Sequence, residues 1–514
     1  MNIAQGNNLI SFSKQDIELF ARASGDNNPM HTSDAYAHKT AFGQPVVFGV
    51  LAAIAAISRI EHQSNCRILR IELNFPGAIF VEVDYSVDVE TLDSHRFIAR
   101  ILDGSRIMLT AEVDYDPSSS ASDSSTIPTA LFERSESALC SEDELGEGHS
   151  ISGNYSPCGK SLTAVIEKYN LSSSGFGLLE LGALCWASYC VGMELPGRNA
   201  LFGKLMIDFD TRQTDCAWPV EYRSQITAND QRFDLVRCEA TLLNKGTRIA
   251  RAELRSFVRR DVPPLNVELI RSLLGPTETL AGKVAVVTGA SRGLGAAIAA
   301  ALVYQGCTVF ANYRRSRLDA EQLVEKVASA TGKLVLVQGD AGDPAWWRSM
   351  SSRLLQEYDG LDLLVCNACP PLVSIPIDSA STERINTYIN QSVSLVSEPL
   401  GACAEMLARR HGSVVVVSSV AVDEPVAQWP HYVAAKSAIE GLARTLAVAN
   451  ENINVVIIRP PRLRTELTNV PMGHSNAVKP ELVAVELVSQ LAAPKPTGEA
   501  HFLMNFDTSS QPVC

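Results

Sequence analysis

The chain has 514 residues, 46% hydrophobic and 20% charged, a globular composition long enough for three or four units of roughly 100 to 200 residues, each with its own core. Its formal net charge of −13 excludes a partner gripped through nucleic-acid phosphates, because such surfaces concentrate basic residues. No run reaches the roughly 20 apolar residues of a membrane helix, and residues 1–13 lack the basic head and apolar body of a signal peptide, so no membrane partner and a cytoplasmic location are expected. The 12 cysteines are scattered without repeated metal-ligand spacing, so they are expected to be reduced and no metal site is expected.

In chain order, residues 12–23 have the spacing of an amphipathic helix opened by Ser13. They run into Ser24, Gly25, Asp26, Asn27, Asn28, Pro29, Met30 and His31, whose glycine, asparagines and proline predict a loop. Residues 46–60 are apolar enough for a buried helix. The period then changes to two over residues 68–75, 80–89, 97–102 and 106–115, as in an antiparallel sheet with one face on a core. Residues 1–116 thus predict an α+β unit. The serine-rich, acidic stretch 117–150 predicts a mobile linker. A weak repeat of the first unit follows over 151–262: an apolar helix at 178–191, then strands at 200–209 and beyond that echo 68–75 and 94–113. This second copy has no counterpart of the Asp26 to His31 loop, so one half is a candidate for catalysis and the other for support. Residues 263–282, with Pro263, Pro264 and Pro276, predict a second linker. From Lys283 onward, continuous Val/Ile/Leu strands at 284–288, 309–312, 334–338, 361–366, 413–418 and 455–458 alternate with helices, the pattern of a doubly wound parallel sheet.

Three constellations carry chemistry. The first strand of the parallel sheet ends in Gly289, Ala290, Ser291, Arg292, Gly293, Leu294 and Gly295 and then continues as a helix. Glycine allows the tight turn and close approach, and the helix N-terminus offers N–H groups to a pyrophosphate. Tyr432 and Lys436 lie four apart, hence on one helix face, and an ammonium beside a phenol favours its ionised form. Ser419, at the end of a buried strand, can hydrogen-bond the same carbonyl oxygen as that phenol. Asp26 and His31 could share general acid/base work around one water. By spacing alone, a pair that merely satisfies a turn is the commoner case. Cys366 and Cys369 have redox-motif spacing, but they follow a strand beside the nucleotide loop, which argues against a redox or metal role.

Residues 283 to about 505 resemble the short-chain dehydrogenase/reductase family, specifically its 3-oxoacyl-thioester reductases. The resemblance rests on the glycine loop 288–295, Asp340, Asn367 with Ala368, Ser418 with Ser419, and Tyr432 with Lys436. It implies a Rossmann fold in which Tyr432 is the acid/base and Ser419 positions the carbonyl. Lys436 would lower the tyrosine pKa and bind the nicotinamide ribose. Asp340 would face the adenine, and Asn367 and Thr465 would lie at the cofactor. The family's proton-relay asparagine falls at Gln391 by ungapped count or at Asn390 with a one-residue shift, the latter preferred. Two positions depart from the family: Cys366, Asn367, Ala368, Cys369 replaces Asn-Asn-Ala-Gly, and Pro460 with Pro461 replaces Pro-Gly. The second strand ends in Asn312, Tyr313, Arg314 and Arg315, with no carboxylate for an adenosine 2′-hydroxyl. Arginines there, and Arg292 in the loop, suit a 2′-phosphate, so NADPH is the expected cofactor.

Residues 24–31 and 42–49 are similar to the MaoC-like (R)-specific enoyl hydratase/dehydratase family of hotdog folds, with residues 151–262 as a degenerate second hotdog. This resemblance implies that Asp26 and His31 are the catalytic pair and that the N–H of Gly49 receives the thioester oxygen. Phe48 stands where many members have histidine. The expected fold is multidomain, an N-terminal α+β double hotdog followed by a C-terminal α/β Rossmann domain at 283–514. The expected function is reduction of a 3-oxoacyl thioester and dehydration to the trans-2-enoyl product, on acyl-carrier protein or coenzyme A, by a homo-oligomer (dimer or tetramer). The alternatives are a single active module with the other as a dimerisation or carrier-docking platform, and the reverse direction, hydration then oxidation.

Overall fold

Alternating hydrophobicity needs a sheet with one dry face, and the first half of the chain supplies ten such strands. A computed structural model describes residues 8–60, 67–116, 136–171, 176–210, 217–276, 278–469, 477–492, 498–504 and 506. The chain divides into two units, one built on Met1–Arg260 and the other on Asp261–Asn469 and Gly473–Cys514.

The strands of the first unit are β1 (Leu9–Ile10), β2 (Arg67–Asn74), β3 (Tyr85–Thr91), β4 (Arg96–Asp103), β5 (Arg106–Asp116), β6 (Ser150–Tyr155), β7 (Ala200–Phe209), β8 (Val220–Asp230), β9 (Leu235–Asn244) and β10 (Thr247–Val258). They form one antiparallel sheet in the order β1-β3-β4-β5-β2-β7-β10-β9-β8-β6. Read from either edge, the order is the same five-strand pattern, so the sequence repeat is a structural pseudo-twofold, and equivalent strands β2 and β7 pair at its centre. There Ile71 faces Ile207 and Leu73 faces Leu205, all four fully buried. Each half wraps one apolar helix, Gly49–Ile57 and Leu178–Tyr189. The second continues into a π-helical turn, Cys190–Glu194. The outer helix Lys14–Ser24 is opened by a capping box between Ser13 and Asp16 and closed by Gly25 at φ 74°. The predicted helix at 46–60 is shorter because Val46 is bridged to Phe80 instead.

Neither predicted linker is only a linker. Of 117–150, residues 117–135 lie outside the described residues. In the remainder Ser137 is buried, Ala138 N–H donates to the Met193 carbonyl at 2.8 Å, and Leu139 is bridged to Gly197. Residues 263–282 contain a helix, Val267–Leu274, capped by Asn266, whose Ile270 is fully buried in the core of the second unit. The prolines marked its ends and hid the face, Val267, Ile270 and Leu274, that packs on that core.

The second unit has β11 (Val284–Val287), β12 (Thr308–Tyr313), β13 (Lys333–Gln338), β14 (Leu363–Cys366), β15 (Ser413–Val417), β16 (Asn454–Ile458) and β17 (Ala500–Leu503). They form a parallel sheet in the order β13-β12-β11-β14-β15-β16-β17, with buried clusters on both faces. The order reverses between β11 and β14, and ligands of such sheets bind beyond the carboxyl ends of the strands at that switch. No helix among the described residues is long and apolar enough to cross a membrane.

Candidate active sites

In the first unit the loop after helix Lys14–Ser24 buries Asp26, which is 2% exposed. Its carboxylate accepts from Ser188 Oγ at 2.7 Å and from Asn28 N–H at 3.0 Å. Gly192 backs it so closely that a Cβ there would lie 2.5 Å from Oδ1. Burial raises the Asp26 pKa to about 7, against the lowering effect of the Ser188 and Asn28 hydrogen bonds. Asn28 caps the one-turn helix Pro29–Thr32 by accepting from Met30 N–H, and its amide donates to the Gly192 carbonyl at 3.0 Å.

His31 sits in that turn. Its Nδ1 lies 2.8 Å from the Val46 carbonyl. A carbonyl only accepts, so Nδ1 carries the proton and the neutral ring presents a bare Nε2. Burial lowers the His31 pKa to about 4, the Val46 bond opposes this, and the Arg259 charge lowers it further. The ring packs on Phe48, centroids 4.0 Å apart. Phe48 precedes Gly49 at the start of the helix Gly49–Ile57, which has no side-chain cap, so first-turn N–H groups remain for an oxygen. A Cβ on Gly49 would meet Phe75 at 2.8 Å. The structure therefore ties His31 to Gly49 through Val46 and Phe48, and ties Asp26 to the second half. Ser188 and Gly192 were not singled out from sequence. A glycine just after an apolar helix was the available signal, and the π-helical turn that aims it at Asp26 has no sequence pattern.

In the second unit the glycines are enforced by contact. Gly289 and Gly293 have φ of 63° and 56°. A Cβ on Gly295 would lie 2.2 Å from the Gly289 carbonyl oxygen, and one on Gly293 would lie 3.3 Å from Thr465 Cγ2. The helix Gly293–Tyr304 begins without a side-chain cap, so bare backbone, positive φ and uncapped N–H groups together fit a dinucleotide pyrophosphate. Ser291 and Arg292 form the turn, and Leu294 is buried. Asn312 and Asn367 hold this loop in place. Asn367 Nδ2 donates to the carbonyls of Thr288 and Gly289, both at 3.0 Å. Asn312, 2% exposed, accepts from Gly289 N–H and donates to the Gly339 carbonyl. Asn312, expected at the cofactor, braces the glycine loop from below. Arg314, expected at a 2′-phosphate, pairs at 3.0 Å with Asp340, expected at the adenine. Both are half-exposed, and Arg315 is exposed beside them. An exposed pair of this kind is worth at most about 1 kcal/mol and exchanges readily for a better anion.

Ser419, Tyr432 and Lys436 are brought together at the carboxyl end of β15. Ser419 caps a short turn by accepting from Ala421 N–H at 3.2 Å. Tyr432 and Lys436 lie on the helix Pro430–Ala449. Lys436, 6% exposed, donates to the Val417 carbonyl at 2.7 Å, and its ammonium lies 5.5 Å from the Tyr432 ring centre. The expected lowering of the Tyr432 pKa by Lys436 does not hold. Burial pushes the phenol up, Cys369 adds to this, and the Ser419 hydrogen bond opposes it. Burial also lowers the Lys436 pKa. The ammonium gives one of its three N–H groups to a backbone carbonyl, and burial outweighs every other influence on the phenol. One turn on, buried Glu440 accepts from Ser418 Oγ at 2.5 Å and from Arg459 at 2.7 and 2.6 Å, locking strand to helix beside the three residues. Sequence reading missed that clamp. A cavity of about 290 Å³ is lined by Ile375, Glu383, Arg384, Thr387, Tyr388 and Gln391, and the Tyr388 ring packs on His431, beside Tyr432, at 4.4 Å. Both Asn390 and Gln391 are exposed, and Gln391, the ungapped alternative, is the one that lines this cavity. A helix turns 100° per residue, so the two candidates face different directions.

The short chain dehydrogenase family matches residues 283–472, and the MaoC like domain matches residues 5–106. An uncharacterised oxidoreductase of Methylorubrum extorquens is 32% identical over 207 residues, 40% of this chain and 83% of its own length. Hydroxynaphthalene reductase-like protein Arp2 of Metarhizium guizhouense is 29% identical over 225 residues, 43% of this chain and 83% of its own. Among solved structures, a short chain dehydrogenase of Burkholderia cenocepacia in complex with NADP is 27% identical and covers 44% of this chain and 98% of its own, with a TM-score of 0.40.

Proposed function

The chain belongs to the short-chain dehydrogenase family and carries a MaoC-like domain at its N-terminus, and we propose that it reduces a 3-oxoacyl thioester with NADPH and dehydrates the 3-hydroxyacyl product to the trans-2-enoyl thioester. The thioester is carried by acyl-carrier protein or coenzyme A. The observation that carries this reading is the pairing, in one chain, of a complete Ser419, Tyr432 and Lys436 set with an Asp26 and His31 loop whose titration is inverted. Between about pH 4 and pH 7 the carboxyl is protonated while the imidazole is neutral, which divides acid from base.

For reduction, the glycine loop and the N-terminus of helix Gly293–Tyr304 hold the pyrophosphate, and Arg315 with Arg314 meets the 2′-phosphate. NADPH, when bound, supplies hydride. Ser419 and Tyr432 hydrogen-bond the ketone oxygen, and Tyr432 gives it a proton as the alcohol forms. A phenol whose pKa is raised is fully protonated at neutral pH and so carries the proton that reduction needs. For dehydration, Gly49 N–H receives the thioester oxygen, His31 Nε2 takes the α-proton, and Asp26 gives its proton to the departing β-hydroxyl. Water leaves, and one proton passes from His31 to Asp26 through solvent to reset the pair.

Purified protein incubated with NADPH and a 3-oxoacyl thioester should consume NADPH and accumulate enoyl product. No NADPH consumption and no water loss at any chain length would overturn the reading. Consumption without water loss, or water loss only from added 3-hydroxyacyl thioester, would reduce it to one active module.

A further inference from the structure

Arg259, just beyond β10, is 5% exposed, yet no carboxylate pairs with it among the described residues. Its guanidinium makes both of its hydrogen bonds through Nη2, to Tyr36 Oη at 3.0 Å and to the Arg198 carbonyl at 3.2 Å, and Nε is buried without a partner. Arg198, whose backbone carbonyl receives that bond, shares part of the deficit. Its Nε is also buried without a partner, and its ion-pair partner, Glu136, stands 3.7 Å away and almost wholly exposed. A buried cation lacking a counter-charge is strongly disfavoured unless an anion completes it.

Both arginines are tied to the catalytic loop. The Arg198 carbonyl also accepts from Asn28, two residues after Asp26, at 3.4 Å. Tyr36, five residues after His31, donates to Asn199 at 3.3 Å, and its ring lies 5.6 Å from the Arg259 guanidinium. The Arg259 charge is also felt at His31. All of these groups belong to the first unit, with both cations supplied by the half that lacks the catalytic loop.

We propose that Arg259, with Arg198 beside it, is an anion subsite of the hotdog active site that takes a charged oxygen group of the thioester substrate, a phosphate of the carrier arm or a carboxylate on the acyl chain. This rests on the dehydratase reading above. A guanidinium fork matches either group in two parallel hydrogen bonds, which an ammonium cannot do.

The test uses the full chain and three enoyl thioesters: a coenzyme A ester, the same acyl group on N-acetylcysteamine, which has no phosphate, and an N-acetylcysteamine ester whose acyl chain ends in a carboxylate. Arg259→Met should raise KM for one charged ester about 10- to 100-fold, as losing a charge-assisted bond predicts, with kcat changed little and the neutral ester unaffected. Arg259→Lys should fall between. Loss with the coenzyme A ester alone identifies phosphate, and loss with the carboxylated ester alone identifies the acyl end. Equal loss on charged and neutral esters, or no loss, overturns the subsite. If the native chain turns over none of the three, the dehydratase reading fails, and the subsite is then read by inorganic phosphate: thermal stabilisation of the native chain that Arg259→Met abolishes supports it, and stabilisation absent or unchanged overturns it. Should Arg259→Met not fold, Arg198→Met, at a side chain one-third exposed, reads the same subsite.

Discussion

The Asp26 loop and the Tyr432 helix use the same force to opposite ends. Burial is the largest influence on both acids and raises both. A carboxyl starts low, so burial brings Asp26 to about 7, where it can give and regain a proton. A phenol starts near 10, so burial carries Tyr432 further from neutrality and keeps it protonated. The partners differ as well. The contacts that fix Asp26 include Ser188 and Gly192, more than 160 residues away. The reductase residues gather at the ends of neighbouring parallel strands, with Lys436 held by the strand that precedes Ser419. Desolvation thus acts as a switch at one site and as a lock at the other, depending on the starting pKa.

The largest expected effect separates the sites outright. Tyr432→Phe should cut NADPH oxidation about 10²- to 10⁴-fold, the range for loss of a general acid, with dehydration of added 3-hydroxyacyl thioester unchanged. Asp26→Asn should cut dehydration by about 10²-fold or more and leave reduction intact. It also tests burial directly. The folded state holds the Asp26 proton up to about pH 7 while the unfolded chain releases it near 3.8, so native stability falls as pH rises between these values. The amide introduced by Asp26→Asn cannot ionise, so at pH 8 the variant should be more stable than the native chain by up to about 4 kcal/mol. Melting temperatures should show that gain at pH 8 and its loss toward pH 4. An advantage that is flat with pH would show that Asp26 is not held protonated.

Gly192→Ala should lower dehydration about 10-fold or more by displacing the carboxylate across a contact it cannot share, again with reduction as the internal control. The pH profile of dehydration sharpens the comparison further. It should be a bell whose acid limb near 4 follows His31 and whose alkaline limb near 7 follows Asp26. Ser188→Ala removes a hydrogen bond that lowers the Asp26 pKa, so only the alkaline limb should move, and upward. Movement of the acid limb instead would reverse the assignment of acid and base. The smallest effect is expected at Arg315→Ala, about a 3- to 10-fold rise in KM for NADPH with NADH unaffected, because an exposed cation is strongly screened.

Much of this was legible from residue order. Period-two strands, a buried apolar helix in each copy and continuous apolar strands between helices follow from local chemistry and were read within a few residues. Local chemistry fell short where one residue's environment decided. Ile270 turned a proline-marked linker into a docked helix. On the helix Thr382–Arg409 no local pattern shows that Gln391 lines a cavity and Asn390 does not. Arg314 found Asp340 because β12 and β13 pair, a contact no local pattern contains.

By itself the sequence determined the repeat, the glycine loop and which side chains could carry the chemistry, because backbone freedom, periodicity and functional groups are properties of short stretches. Tertiary structure alone decided how those groups are tuned. The inverted order of Asp26 and His31, the protonated phenol of Tyr432 and the uncompensated charge of Arg259 all come from burial, and burial is set by residues distant in the chain.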